Sequence, residues 1–148
     1  MSDQPGPAVL NHFGHCVTDL DRSVRFYCEV LGFREKRRTS VPDGPTARLL
    51  RIDPPVGLTA VYLEKNGIVL ELLTFDRPGN PPARPRPFNE PGLTHMSFCV
   101  EDLAAAKAEV ARLGGEVLAD TDLGAAVFVR DPDGQPIELL AMELRASL

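Results

Sequence analysis

The sequence predicts an α+β fold built from two tandem repeats, each of which begins with a strand and a helix and continues with further strands. The repeat is visible in two segments that share one pattern. In NHFGHCVTDL, His12 precedes Asp19 by seven residues, and in THMSFCVEDL, His95 precedes Asp102 by the same seven. A duplicated unit explains this register, whereas chance does so poorly.

A carboxylate later in each half completes the pattern. Glu71 in IVLELL and Glu138 in QPIELL each interrupt an apolar, strand-like run. The first half takes 16 residues more than the second to reach this Glu, which is about the length of its Pro- and Gly-rich stretch 42–57. The two halves therefore differ mainly by one insertion.

Capping and turn residues delimit the elements of the first repeat. Asp19 is a suitable N-cap for the following helix, Gly32 is a suitable C-cap, and Asn66-Gly67 is typical of a two-residue hairpin turn. The predicted elements are a strand over 9–17, a helix over 21–31, strands over 33–41, 58–64 and 68–74, and a segment over 46–52 that fits a helix or a strand.

The second repeat has the same order of elements, with a strand over 93–100, an Ala-rich helix over 102–113, and strands over 116–119, 125–130 and 136–142. Residues 76–91 contain six prolines, so this segment cannot join a central sheet or a helix interior. We therefore expect a single domain over 1–148, with module 1 at about 8–75, a linker or lid at 76–91, and module 2 at about 92–143.

Composition and charge exclude several classes of function. A net charge of −5 argues against binding nucleic acid or an anionic membrane surface, since both need clustered positive charge. No apolar run approaches the roughly 18 to 20 residues that span a bilayer, and the N-terminus MSDQPGPAVL lacks the features of a secretory signal. Three cysteines without CxxC spacing favour free thiols, and we expect a cytoplasmic protein.

Four polar side chains are the candidate metal ligands. Strand alternation places His12, Glu71, His95 and Glu138 on faces with small or apolar neighbours, so we expect them to point into a largely buried space. A buried carboxylate needs a partner, and one divalent cation would serve two imidazoles and two carboxylates together. Two nitrogen and two oxygen ligands suit Zn, Ni, Co, Fe or Mn. His15 lies on the opposite strand face and is interpreted as a packing or surface residue.

Three blocks of the chain, HFGHCVTDLDRSVRFYCEVLGF, GLTHMSFCVEDLAAAKAEVARLGG and FVRDPDGQPIELL, are similar to the vicinal oxygen chelate superfamily. Its members include glyoxalase I, methylmalonyl-CoA epimerase, extradiol dioxygenases, and the fosfomycin and bleomycin resistance proteins. The resemblance covers about residues 8–143. It implies paired βαβββ modules whose curled mixed sheets enclose a metal-binding cavity with one divalent ion per site. It also implies a homodimer, in which each site lies within one chain or is shared by two.

The resemblance places the ligands of the first, fourth, fifth and eighth strands on His12, Glu71, His95 and Glu138, the full set typical of glyoxalase I. It therefore predicts a metal-dependent isomerase or lyase acting on a small molecule with vicinal oxygens. The metal would stabilise an enediolate while Glu138, or Glu71 on the opposite side, removes a proton.

Two departures from the bacterial glyoxalase I pattern put glutathione in doubt as a co-substrate. Cys16 stands where an Arg would reach the glutathione carboxylate, and the Asn expected shortly after Glu71 is missing. A set of basic residues could instead meet an acidic substrate or a CoA phosphate, although a solvated strand edge and loop is the favoured interpretation. The set comprises Arg34, Lys36, Arg37, Arg38, Arg84 and Arg86.

Three alternatives stay open from the sequence. A methylmalonyl-CoA-epimerase-like enzyme would use the same enolate chemistry beside a thioester. A ring-cleaving extradiol dioxygenase would need Fe(II) or Mn(II) and oxygen. A non-catalytic ligand-binding protein of the antibiotic resistance type fits least well, because such members of the superfamily lack the ligands.

Overall fold

Two four-stranded sheets and three helices make up the described part of the chain, which in this computed structural model is residues 6–76 and 79–147. Module 1 contains β1 (Phe13–Cys16), α1 (Leu20–Glu29), β2 (Arg34–Ser40), α2 (Asp43–Leu50), β3 (Leu58–Lys65) and β4 (Ile68–Phe75). Module 2 contains β5 (Met96–Val100), α3 (Leu103–Arg112), β6 (Glu116–Val117), β7 (Ala126–Arg130) and β8 (Pro136–Ala141), with 3₁₀ turns at Ala119–Thr121 and Met142–Ser147.

The two sheets have the same topology. Their strand orders are β1-β4-β3-β2 and β5-β8-β7-β6. In each sheet the first strand of the module runs parallel to the last, and the other neighbours are antiparallel. The predicted α+β fold of two βαβββ modules with mixed sheets is therefore confirmed, with α2 as an addition from the insertion in module 1. Neither sheet closes into a barrel.

Equivalent aspartates start the equivalent helices. Asp19 accepts a hydrogen bond from the backbone N–H of Arg22 at 2.9 Å, and Asp102 accepts one from Ala105 at 2.9 Å. Both aspartates are N-caps, which satisfy a backbone donor that the first turn leaves open. Gly32 adopts a φ of 71° after α1, as a C-cap glycine does. The repeated Asp is thus explained by helix capping, whereas the repeated His and Glu have no such structural role and are the candidate ligands.

The structure differs from the predicted element bounds mainly at strand ends. Strands β1 and β5 begin at Phe13 and Met96, one residue after each predicted His ligand, because pairing with the parallel neighbour starts there. Part of the ambiguous segment 46–52 is helical, since α2 extends to Leu50. The carboxylate of Asp43 accepts two backbone N–H groups from the chain that returns to β3, and this holds α2 against the sheet.

The main hydrophobic core lies between the two sheets and is shared by both modules, and a smaller cluster under α2 contains Ala47, Val56 and Leu58. Phe26 and Tyr27 of α1 are fully buried and belong to the same cluster as Val110 of α3. The strand residues in this cluster are Val61, Leu63, Leu70 and Leu72 of module 1 and Val127, Val129, Ile137 and Leu139 of module 2. Because side chains alternate along a strand, the predicted Glu ligands of β4 and β8 point to the opposite, outer faces.

The turn between β7 and β8 of module 2 binds to module 1 through two aspartates. The buried carboxylate of Asp131 lies 2.8 Å from Nε2 of His15 and accepts a hydrogen bond from the Tyr27 hydroxyl at 2.9 Å. Asp133, in the same turn, accepts the backbone N–H of Thr18 just before α1. The interpretation of His15 as a packing residue is confirmed, and the contacts join the two modules into one unit.

None of the helices in the described ranges is long and apolar enough to cross a bilayer. Cys16, Cys28 and Cys99 are free, as the sequence predicts. The cytoplasmic location stays a prediction.

Candidate metal centre

Each module brings its predicted His and Glu side chains together on its outer face. Nε2 of His12 lies 3.1 Å from Oε2 of Glu71, and Nε2 of His95 lies 3.9 Å from Oε2 of Glu138. The parallel pairing of β1 with β4 and of β5 with β8 accounts for both contacts, because it sets each His beside the strand that carries the Glu.

The second nitrogen of each imidazole faces the side chain that precedes it in sequence. Nδ1 of His12 is 2.6 Å from Oδ1 of Asn11, and Nδ1 of His95 is 2.8 Å from Oγ1 of Thr94. A contact of this kind holds the ring in one orientation and leaves Nε2 for the carboxylate or for a cation. It is the arrangement that commonly surrounds histidines that ligate metals.

The two pairs stay apart within one chain. Among residues 6–76 and 79–147, no three His, Cys, Asp or Glu side chains are grouped closely enough to hold a metal ion. The pairs lie on the outer faces of separate sheets, with the shared core between them. A single chain therefore presents two half-sites, which we call the His12 pair (His12 and Glu71) and the His95 pair (His95 and Glu138).

The expectation that these four side chains point into a largely buried space is wrong for the single chain. The side chains of the His12 pair are 33% and 15% exposed, and those of the His95 pair are 32% and 27% exposed. The reason is that α1, α3 and the shared core cover the inner faces of the sheets, whereas on the outer faces α2 covers only the part of the module 1 sheet near Leu58 and Leu73. Leu10 and Leu93, which lie two residues before each His, are also 65% and 82% exposed.

The two half-sites lie in rows of paired residues that differ in composition. The row in module 1 crosses all four strands and consists of Gly14, Glu71, Tyr62 and Arg37. The equivalent row in module 2 consists of Ser97, Glu138 and Phe128. The carboxylate of module 1 therefore has a phenol and a guanidinium on one side, where that of module 2 has a phenyl ring.

Different neighbours hold the two carboxylates. The Ser97 hydroxyl donates a hydrogen bond to Oε2 of Glu138 at 2.7 Å. Gly14 occupies the equivalent position in module 1 and has no side chain to donate. There, Tyr62 is paired with Glu71, and this carboxylate, together with partial burial, raises the pKa of the Tyr62 phenol above its ordinary value.

Aromatic rings flank both histidines. The ring of Tyr62 meets His12 edge to face at 5.8 Å, and that of Phe128 meets His95 edge to face at 5.2 Å. Phe88, from the proline-rich segment, adds a further ring 5.8 Å from His95 and 4.8 Å from Phe128. The surroundings of the His95 pair are therefore the more apolar of the two.

The proline-rich segment runs beside a cavity of about 720 Å³ that both modules line. Asn80 fixes the start of the segment, because its amide donates hydrogen bonds to the backbone oxygen of Val17 at 2.9 Å and to Oγ1 of Thr74 at 2.7 Å. Cys16 and Arg84 are among the lining residues, but none of the four predicted ligands is. The cavity therefore adjoins the His–Glu pairs without including them, since its lining contains Gly14, which pairs with Glu71, and Thr94, which contacts His95. A role of the segment as a lid stays a prediction.

Most of the basic set has partners within the chain. Three of its members form ion pairs: Arg34 with Glu64, Arg38 with Glu35 and Asp21, and Arg84 with Glu90. Arg86 donates to the backbone oxygen of Leu93. The guanidinium carbon of Arg37 instead lies 6.0 Å from the centre of the Tyr62 ring, on the face that carries the His12 pair.

Tyr62 and Ser97 are site neighbours to which the sequence patterns assigned no role. A signal for Tyr62 was present, because a two-residue turn at Asn66-Gly67 sets the hairpin register and thereby places Tyr62 opposite Glu71. Ser97 shares a strand face with His95 by alternation, but its hydrogen bond to Glu138 depends on how β5 and β8 pair.

Comparison with known proteins supplies the family. The pattern of the Glyoxalase/Bleomycin resistance protein/Dioxygenase superfamily matches residues 9–139. A probable lactoylglutathione lyase from Synechocystis sp. is 29% identical in an alignment that covers 84% of this chain and 88% of that protein. The trypanothione-dependent glyoxalase I of Leishmania major superposes with a TM-score of 0.65 at 27% identity, covering 92% of this chain and 88% of that one. A glyoxalase family protein from Bacillus cereus shares the fold, with a TM-score of 0.79 at 18% identity over 95% and 98% of the two chains.

Proposed function

Because the chain belongs to the Glyoxalase/Bleomycin resistance protein/Dioxygenase superfamily, we propose that it is a metal-dependent isomerase or lyase of the glyoxalase I kind. The observation that carries the proposal is the duplicated His–Glu pair, whose members lie 3.1 and 3.9 Å apart in the two modules. Similarity to a probable lactoylglutathione lyase favours the same class of reaction.

The donor set fits a divalent transition-metal ion. Imidazole nitrogen and carboxylate oxygen are ligands that Zn, Ni, Co, Fe and Mn accept together, and each imidazole is oriented through its other nitrogen. His12, Glu71, His95 and Glu138 would hold the ion. When bound, it would draw electron density from two neighbouring substrate oxygens and so make the adjacent C–H group more acidic.

Two copies of the chain would complete the site. Each copy offers the His12 pair on one outer face and the His95 pair on the other. A twofold axis that sets the His12 pair of one copy against the His95 pair of its partner brings the remaining two pairs together as well, because a twofold contact is reciprocal. The homodimer would then contain two sites of four ligands, and the exposed Leu10 and Leu93 beside the pairs are apolar surface that the contact would cover.

Glu138 is the proposed base. Its Oε2 is 3.9 Å from His95, whereas Oε2 of Glu71 is 3.1 Å from His12, and the Glu138 side chain is the more exposed of the two carboxylates. A carboxylate that its imidazole holds less closely can turn to take a substrate proton and return it to the neighbouring carbon. The Ser97 hydroxyl would keep it aligned between the two steps. Glu71 is the alternative base on the opposite side.

The proposed substrate is a small 2-oxoaldehyde adduct with two adjacent oxygens. Partial burial, with Asp133 adding to the effect, raises the pKa of the Cys16 thiol above its ordinary value. The thiol is therefore neutral at pH 7 and cannot replace the Arg that would reach a glutathione carboxylate. The proposal accordingly includes hemithioacetals of thiols other than glutathione.

The first experiment measures bound metal and turnover in the same preparations. Freshly purified protein is analysed for its metal content, loaded with the metal found, and assayed with hemithioacetals formed from methylglyoxal and several thiols. We expect Glu138→Gln to retain metal and lose at least about 100-fold in turnover, since general base catalysis contributes that much. The matched variant Glu71→Gln should lose less.

Two results would count against these assignments. If Glu138→Gln keeps both its metal and its turnover, Glu138 is not the base. If the wild-type chain binds no transition metal under these conditions, or turns over none of the adducts when loaded, the isomerase proposal fails.

The second experiment tests whether two chains share each site. One variant carries His12→Ala and Glu71→Ala, and the other carries His95→Ala and Glu138→Ala. Neither can form a four-ligand site alone, but a mixed dimer contains one intact site. Random mixing of equal amounts after unfolding and refolding makes half of the dimers mixed, so bound metal should recover to about a quarter of the wild-type content. No recovery in dimers shown to have exchanged chains would contradict the shared site.

A further inference from the structure

The row of residues across the module 1 sheet ends in an arginine on the same face as the His12 pair. The guanidinium carbon of Arg37 lies 6.0 Å from the ring centre of Tyr62. Tyr62 is paired with Glu71 across β3 and β4, and its ring is 5.8 Å from that of His12. The positive charge of Arg37 therefore lies on β2, next to Tyr62 of β3, which in turn is paired with the predicted ligand Glu71.

A β-bulge aims Arg37 at this face. The ladder between β2 and β3 is regular as far as Glu35, which pairs with Leu63, but the next pair joins Arg37 with Tyr62. Lys36 is the extra residue. Without the bulge, strand alternation would place Lys36 opposite Tyr62 and turn Arg37 towards the inner face. Bulges commonly re-aim side chains beside functional sites, and this one presents a planar guanidinium where a regular strand would present an ammonium group.

The guanidinium of Arg37 keeps its donors open. Its neighbours Arg34 and Arg38 form ion pairs with carboxylates of the chain, but within the described ranges no carboxylate lies at ion-pair distance from Arg37. Stacking on the Tyr62 ring holds the group in place by a cation–π contact and leaves N–H donors at its edge available. The equivalent row of module 2 has Phe128 in place of Tyr62.

We propose that Arg37, held by Tyr62, is an anion subsite that binds a carboxylate or phosphate group of the substrate. The inference rests on the proposed function and narrows its substrate class to small molecules that carry a negative charge beyond the reacting oxygens. Two N–H groups of a guanidinium match two oxygens of a carboxylate or phosphate. Because the chain has a net charge of −5, a local cation is needed for an anion to approach this face.

The chain provides a direct optical readout for this subsite. It contains no Trp and two Tyr, and Tyr27 is fully buried in the core. A change in tyrosine absorbance or fluorescence on adding an anion therefore reports mainly on Tyr62. Inorganic phosphate and acetate are the probes, titrated into the full-length, metal-free protein at constant ionic strength, and the tighter of the two identifies the preferred anion.

The matched variants are Arg37→Met and Lys36→Met, which remove one positive charge each from adjacent positions of β2. Both side chains are exposed, and circular dichroism checks that the fold is retained. We expect Arg37→Met to weaken binding of the preferred probe about tenfold or more, as loss of a charge-assisted hydrogen bond does. Lys36→Met should change the affinity for the probe by less than about twofold, since salt screens the electrostatic effect of an exposed charge that does not contact the anion.

Three results would overturn the subsite: no binding of either probe to the wild-type protein, unchanged binding to Arg37→Met, or equal weakening in both variants. The metal content of the variants separates this inference from the proposed function. If both variants bind metal like the wild type but Arg37→Met binds the anion as tightly as the wild type, the subsite is refuted and the metal site is not. If none binds metal while Arg37→Met alone loses the anion, the subsite stands and the enzyme proposal fails.

Discussion

Replacing Asp131 with asparagine should loosen the attachment of module 2 to module 1. The side chain is completely buried. Its Oδ2 lies 2.8 Å from Nε2 of His15 and accepts the Tyr27 hydroxyl at 2.9 Å, while Oδ1 accepts the backbone N–H groups of Asp133 at 2.9 Å and Gln135 at 2.8 Å. Asparagine retains one oxygen, which the two backbone donors require, so its NH₂ group would face His15 and Tyr27.

The expected loss of stability follows from the contacts that change. A hydrogen bond to a charged group contributes about 1.5–3 kcal/mol, and the substitution removes the charge and the acceptor for two of them. The Tyr27 hydroxyl can turn and the imidazole can change tautomer, so part of this is recovered. We expect a net loss of about 2–4 kcal/mol in the free energy of unfolding at pH 7. In a chain of this size that corresponds to a fall in Tm of about 6–12 °C.

Urea unfolding followed by circular dichroism at a fixed protein concentration measures this loss. The control is Asp21→Asn, because the Asp21 side chain is 82% exposed and its ion pair with Arg38 faces solvent. An exposed pair of this kind contributes less than about 1 kcal/mol, so the control should unfold close to the wild type. If Asp131→Asn also lies within about 0.5 kcal/mol of the wild type, a value typical of surface substitutions, then the buried turn does not hold the modules together as described.

Further predictions concern the same interface and the proline-rich segment. Burial alone raises the pKa of Asp131, but the hydrogen bonds from His15, Gln135 and Tyr27 and the charge of His15 together outweigh burial and hold that pKa below its ordinary value. The stabilisation is therefore present above about pH 4, where the unfolded carboxyl titrates, and is lost as the pH falls through the folded pKa; the difference between wild type and Asp131→Asn in acid unfolding should shrink accordingly. A methyl group at Gly115 would lie 2.5 Å from the backbone oxygen of Arg130, so Gly115→Ala should cost about 1–3 kcal/mol in urea unfolding, whereas Gly44→Ala, with nothing within 4 Å, should be neutral or stabilising. Asn80→Ala removes the amide that ties the segment to Val17, just after β1, and to Thr74 of β4, and limited proteolysis should then cleave residues 81–91 faster; an unchanged rate would refute that anchoring role.

Much of the fold could be predicted because the same sequence pattern occurs in both halves of the chain. The recurrence of His12 and Asp19 at His95 and Asp102 fixed the order of elements in both halves, and the N-caps fall on the predicted aspartates. The pairing of each His with a Glu followed from the same repeat.

The exposure of the His–Glu pairs could not be predicted, because both faces of the strands are apolar. In β4, Val69 and Leu73 alternate with Leu70 and Leu72, and only tertiary packing places Leu70 and Leu72 in the shared core and Leu73 in the smaller cluster under α2. The orientation of Arg37 could not be predicted either, because no sequence pattern marks the bulge at Lys36 that turns it towards Tyr62. Both features arise from tertiary contacts rather than from local propensity.

The core that the two modules share and the His–Glu pairs occupy opposite sides of the same two sheets, which has an evolutionary consequence. A mutation in the outer row can alter reactivity without creating a cavity among the packed aliphatic side chains. Substitutions in the shared core can likewise accumulate without moving the nitrogen and oxygen atoms of the His–Glu pairs. Natural selection can therefore act on chemistry and on folding almost independently in this architecture. This independence is one physical reason why a single scaffold supports unrelated reactions among distant cousins.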